Sequence, residues 1–236
     1  MAVEEHIDLT VLEENLSALG PDSSRGGLMD ALEQVLSATR QLFNASGAGF
    51  MMLDDRQMLC AVAATDARGR LLEDLQEKTG HGPCVDALTL DRVTTTSDLA
   101  VDDRWPQLIP ELPSAGIRAV LGVPIRANSV AVASLNVYRD QPHVWDESDI
   151  AALTAYGGII EGLLRTALQA REHEELAQQL QHALDHRVVI ERAVGVLMGR
   201  QRVDAVTAFN QLRQRARSAE RKVADVASEV LDEVAG

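Results

Sequence analysis

Two cysteines, Cys60 and Cys84, are all that the 236 residues contain. They are too few for a disulfide framework and lack metal-ligand spacing. No stretch reaches the ~18 uninterrupted apolar residues of a membrane span, and Met1 to Asp8 is acidic where a signal peptide would be basic. A cytoplasmic protein with no membrane partner is therefore expected. No phosphate-binding glycine loop, metal cluster or ordered catalytic triad occurs, so the sequence nominates neither a catalytic residue nor a metal ligand. Basic residues are also scarce, 22 against 36 acidic, for a formal charge of -14.

What is present is unevenly spread. Residues 1 to 170 carry 12 basic and 25 acidic side chains, whereas Arg187 to Lys222 carry 9 basic and 3 acidic. An anion-binding module joined to a different, acidic module has this asymmetry. Within the basic segment, Ile190, Ala193, Val194, Leu197 and Met198 recur at helical spacing. So do Ala205, Ala208, Phe209, Leu212 and Ala216, and then Val223, Val226, Ala227, Val230, Leu231 and Val234. Breaks at Gly199 to Val203 and Ser218 to Lys222 divide three helices, with Asp204 as an N-cap. Each stripe is too narrow to be buried alone, so a small bundle is expected. On the second helix Arg213 and Arg217 lie one turn apart on the same flank, where they would meet phosphates together; the bland reading is a solvated face.

The entry Arg187 with Ile190, then Ala193, Gly195, Leu197 and Met198, then Ala208, Phe209, Leu212, Arg213 and Ala216, and finally Asp225, Val226 and Ala227 resemble the ANTAR domain of bacterial antitermination regulators. The resemblance spans all three helices. It implies RNA binding by a dimer that engages paired stem-loops in nascent mRNA and so prevents terminator formation. On the matching positions it assigns phosphate or loop contacts to Arg213, Arg217 and Lys222, with Arg187, Arg192 and Arg221 in support. Gly195 costs about 1 kcal/mol against alanine within a helix, so close approach of RNA or of a neighbouring helix is expected there. Where the family carries a lysine between Ala193 and Gly195, this chain has Val194, which removes one cation from the expected surface.

Upstream, a short helical piece at Val11 to Leu19 belongs to an N-terminal extension over 1–25. A helix with the stripe Leu28, Leu32, Val35, Leu36, Leu42 and Phe43 follows. Strands are predicted at Gly49 to Leu53, Leu59 to Ala64, Val93 to Ser97, Ala119 to Ile125 and Val130 to Tyr138. A polar helix near Arg70 to Lys78 and a loop from Gly80 to Cys84 separate the second strand from the third. This order predicts an α+β domain, an antiparallel sheet covered by helices. Gly82 to Ala87, Asp98 with Trp105, Gly116 to Ala119 leading to Val123, Pro124 and Ile125, and Trp145 to Glu147 resemble a GAF domain over 26–168. That resemblance implies a sensor for a small-molecule ligand of unread identity, with His81, Cys84 and Trp105 as pocket candidates. The cyclic-nucleotide signature is not reproduced, since Asn136 is followed by Val137. His81 and His143 could in principle hold haem, though a lone histidine is more often a hydrogen-bonded surface group. Cys84 is a redox candidate, or inert packing.

From Asp146 the pattern can remain helical to Met198, through a seam of Ile150, Leu153, Ile160, Leu164 and Leu168 resumed by Leu176, Leu180 and Leu184. The expectation is a coiled-coil linker over 169–186 that joins two subunits and leads into the helical domain at 187–236. Its alternative is two helices with a hinge near Arg171. Two rival functions stand beside RNA regulation. One is a DNA-binding regulator or signalling adaptor, because a basic three-helix unit also suits duplex DNA. The other is a methionine sulfoxide reductase of the GAF type, which needs an attacking thiolate and a resolving partner.

Overall fold

The computed structural model describes residues 27–54, 59–170 and 175–235. The expected helix at Val11 to Leu19 and the rest of the N-terminal extension lie outside these residues. Helix α1 (Gly27–Leu42) precedes strands β1 (Gly47–Leu53) and β2 (Leu59–Ala64). Helices α2 (Ala67–Thr79) and α3 (Pro83–Thr89) then lead to β3 (Thr94–Thr96), β4 (Ala119–Ala127) and β5 (Val130–Arg139). Helices α4 (Glu147–Ala170), α5 (Glu175–Gln201), α6 (Ala205–Ser218) and α7 (Val223–Ala235) complete the described chain.

The five strands form one sheet in the order β2-β1-β5-β4-β3, and every pairing is antiparallel. The predicted gap between the last two strands is a tight hairpin turn, in which Asn128 and Ser129 both take positive φ, 50° and 66°. Alternation along β1 and β5 sends Phe50, Met52, Ala133, Leu135 and Val137 into the core beneath α1 and α4. On the opposite face Met51 and Leu53 pack with Cys84, Val85 and Leu88 of α3. Both faces are thus covered, so β1 is buried at all seven positions instead of alternating.

Caps set the helix limits around the second face. Asp66 Oδ1 accepts from the Gly69 N–H at 2.7 Å to start α2, and Gly80 at φ 73° ends it. Helix α3 was not expected from the sequence, which reads as a loop as far as Cys84. Its start does carry a signal, Pro83 in the first turn, where a missing N–H costs nothing. Asp146 opens α4 by accepting from the Asp149 N–H at 2.9 Å.

Leu184 of the expected linker seam is half-buried against the sensor core, and α5 touches α4, β1 and β5 of its own chain; the side chains of Leu176 and Leu180 lie outside those described. The junction near Arg171 lies outside the described residues. Beyond it the helical domain forms as expected: Ile190, Ala193 and Leu197 of α5 meet Ala208, Phe209, Leu212 and Ala216 of α6, and Val223, Val226, Ala227 and Val230 of α7. Asp204 Oδ1 caps α6 by accepting from the Thr207 N–H at 2.7 Å.

Candidate functional site

Phe209, on the buried stripe of α6, is 1% exposed at the centre of the three-helix unit. Two of the expected RNA-binding cations converge on its ring. Arg187 from α5 lies 5.5 Å from the ring centroid and Arg213 from α6 lies 5.8 Å from it, within cation–π range. Both are buried, at 3% and 5% exposure. The expectation that all the arginines face outward therefore fails for these two. Arg187 Nε donates to Glu191 Oε1 at 3.0 Å, while its Nη1 meets no hydrogen-bond partner among the described residues. Burial pulls both guanidinium groups below their usual range, and for Arg213 the neighbouring charge of Arg217 adds to the effect.

The other candidates are on the surface. Arg192, Gly195, Arg217, Arg221 and Lys222 are exposed. Arg221 Nη1 donates to Glu229 Oε1 at 2.7 Å, an exposed pair that phosphate could displace at little cost. A Cβ added at Gly195 would meet nothing within 4 Å. That overturns the neighbouring-helix explanation for this glycine and leaves an open helix face.

The cause of Arg213's burial is the sensor domain. Helix α6 contacts α3 and lies over the α2–α3 loop, where Asn210 Nδ2 donates to the Gly80 carbonyl at 2.9 Å. His81 is half-buried at this contact and, with Lys78, Arg213 and Arg217, lines a cleft of about 260 Å³ between the two domains. Helical spacing places Asn210 on the flank of Arg213 and Arg217 but gives it no role, because its partner is a backbone carbonyl 130 residues away; Lys78 was missed altogether.

Beneath the sheet's second face the sensor holds a buried polar cluster that was also missed. Glu73 Oε1 accepts from Asn136 Nδ2 at 2.5 Å, and the same amide donates to the Gly49 carbonyl at 3.2 Å. Complete burial pushes the Glu73 carboxyl up to about 8. Gln76 clamps Cys84: its Oε1 accepts from the Cys84 N–H at 2.8 Å and its Nε2 donates to Sγ at 3.1 Å. Burial raises the Cys84 thiol well above its ordinary value and Cys60 to about 12, so neither is a thiolate near neutral pH. Trp105 is buried and donates from Nε1 to Asp86 Oδ2 at 3.1 Å. Of the pocket candidates, then, Cys84 lies on α3 and Trp105 is hydrogen-bonded to Asp86 of that helix inside the sensor, whereas His81 faces α6. His143 lies elsewhere, 3.3 Å from Asp149 Oδ2 and edge-on to Trp145.

Among the described residues no group of His, Cys, Asp and Glu could hold a metal ion, and no helix is long and apolar enough to cross a membrane.

A family model described as a GAF domain matches residues 27–165, and one described as an ANTAR domain matches residues 178–231. No curated protein matches the chain. Among solved structures, the GAF domain of an Acinetobacter phosphoenolpyruvate-protein phosphotransferase is similar at TM-score 0.56 and 16% identity, over 70% of this chain and 97% of that one. The corresponding GAF domain from Coxiella burnetii is similar at TM-score 0.56 and 16% identity, over 69% and 95%. A free methionine-R-sulfoxide reductase from Neisseria meningitidis is similar at TM-score 0.52 and 16% identity, over 68% and 89%. At these identities the likeness shows the fold alone.

Proposed function

Because the chain belongs to the GAF domain family through residues 27–165 and carries an ANTAR domain at residues 178–231, we propose that it is an RNA-binding antitermination regulator under sensor control. In this reading two copies engage paired stem-loops of nascent mRNA and prevent the terminator from forming. The observation that carries it is the split among the cations of one bundle. Arg192, Arg217, Arg221 and Lys222 are open to phosphate, while Arg213 is covered by the sensor. Stem-loops expose bases and backbone together, which suits short basic helices better than an A-form groove does.

The arrangement is a masked form. Full engagement of RNA requires α6 to leave the α2–α3 loop, so a sensor ligand that favours the parted form raises RNA affinity by its differential binding. The ligand is a small molecule of the sensor domain, and the reductase alternative is disfavoured by the two protonated thiols.

Arg217→Ala is expected to weaken binding of a stem-loop by about 1 to 3 kcal/mol and to reduce the salt dependence by roughly one phosphate contact. The probe is the hairpin most enriched from cellular RNA captured by the protein, titrated at several salt concentrations. An unaltered affinity and slope would remove Arg217 from the interface, and equal competition by duplex DNA of the same sequence would favour the DNA-binding alternative. Light scattering is expected to give a dimer mass for the RNA-bound protein. A monomer with and without RNA would exclude paired recognition.

A further inference from the structure

The cleft between the sensor and α6 is lined by basic and amide side chains from both domains. Lys78 and His81 line it from the sensor; Asn210, Arg213, Gln214 and Arg217 line it from α6, and no carboxylate is among its lining residues. In a chain with a formal charge of -14, this gathers three permanently cationic side chains around about 260 Å³. Asp54 and Glu77 do act on Arg213, but neither of them lines the cleft.

The two domains approach closely at the Gly80 cap of α2. Gly80 holds φ 73°, and a Cβ there would come 2.8 Å from Asn210 Oδ1 and 3.1 Å from Arg213 Nη1. The positive φ serves the end of α2, and the closeness of the Asn210 and Arg213 side-chain tips shows that loop and α6 bring cations from both domains around one space. Bringing them together has a cost. Arg213 loses water and faces the like charge of Arg217. A small anion in the cleft would offset both effects, with the planar arginine forks suited to paired oxygens and Lys78 acting as a point charge. The cleft lies just below the ~300 to 1,000 Å³ of ligand pockets, which fits a compact anion and not a nucleic-acid strand.

We propose that this interdomain cleft is a binding site for a small phosphate-bearing anion that bridges the sensor and α6. Its bound form holds the two domains together. The consequence for RNA rests on the regulator reading above: the anion occupies Arg213 and Arg217, so it and the stem-loop exclude one another, each weakening the other by the same factor.

Calorimetric titration of the full chain with inorganic pyrophosphate at constant ionic strength tests the site. One saturable site per chain is expected, weakened about tenfold or more by Lys78→Glu, as for loss of a charge-assisted contact. Lys78 is exposed, so the variant retains the fold. Arg165→Glu, an equal charge change at another exposed position on α4, is expected to leave the affinity unaltered. No saturable binding to the unmodified chain, or equal weakening by the two variants, overturns the proposal, the latter because it marks diffuse electrostatics. In a second arm, pyrophosphate is expected to lower stem-loop affinity in the unmodified chain and to lose that effect in Lys78→Glu. Undiminished stem-loop affinity at saturating pyrophosphate overturns the bridging role. If the chain binds no stem-loop, the regulator reading fails while the pyrophosphate titration still decides the cleft.

Discussion

Phe209→Ala is expected to destabilise the C-terminal bundle by about 3 to 5 kcal/mol, the usual cost of truncating a buried phenylalanine. The ring is 1% exposed and sits among Ile190, Ala193, Leu212 and Val226, so its loss leaves a void that three short helices cannot close. It also removes the face shared by Arg187 and Arg213, at 5.5 and 5.8 Å, which leaves two desolvated guanidinium groups without that support. A unit of this size holds only a small margin of stability. Hydrogen exchange should therefore show lost protection through α6 and α7 while β1, β4 and β5 stay protected. Amides of α6 that exchange as slowly as in the unmodified chain would contradict the central placement of this ring.

The second large effect is a pH dependence centred on Glu73. Its carboxyl is fully buried, Oε2 meets no hydrogen-bond partner among the described residues, and Oε1 is held by Asn136 Nδ2 at 2.5 Å. Burial raises it from an ordinary 4.5 to about 8 in the folded protein, against the smaller opposing influence of Asn136. Below about pH 4.5 the group is protonated in both states and its stabilising contribution is complete. Between 4.5 and 8 the unfolded chain releases the proton while the folded chain keeps it, so stability falls as pH rises; above 8 the loss levels off. At about 1.4 kcal/mol per unit the window amounts to roughly 3 to 5 kcal/mol. Glu73→Gln keeps the acceptor toward Asn136 and never ionises, so this fall disappears. Urea denaturation at pH 5 and pH 8 reads the difference, and parallel profiles for the two proteins would show that Glu73 does not titrate there.

Much of the fold was legible because its elements repeat local patterns. The stripe of Ala208, Phe209, Leu212 and Ala216 is buried, as period 3.6 requires, and Asp204 caps its helix. The short gap expected from Arg126 to Ser129 indicated a hairpin, which the structure tightens to the two residues Asn128 and Ser129. The strand limits near β3 were less legible: three threonines pair where five residues were expected, since an edge strand has one neighbour to define its ends. Helix α3 was missed because seven residues are too few to display a period, even with Pro83 at the start. The buried pair of Glu73 and Asn136 gave no signal, because 63 residues separate groups that read singly as surface polar side chains.

The sequence by itself determined the two domains, the order of their strands and of the helices other than α3, and the concentration of positive charge in the last third, for each follows from side-chain type and spacing along the chain. The tertiary structure alone decided which charges are on offer. Arg213 and Arg217 occupy the same flank of α6 one turn apart, yet one is 5% exposed and the other lies open. Periodicity specifies the direction in which a side chain leaves its helix. It carries no information about which distant loop will stand opposite, and here that loop, at Gly80, reaches Arg213 and leaves Arg217 in water.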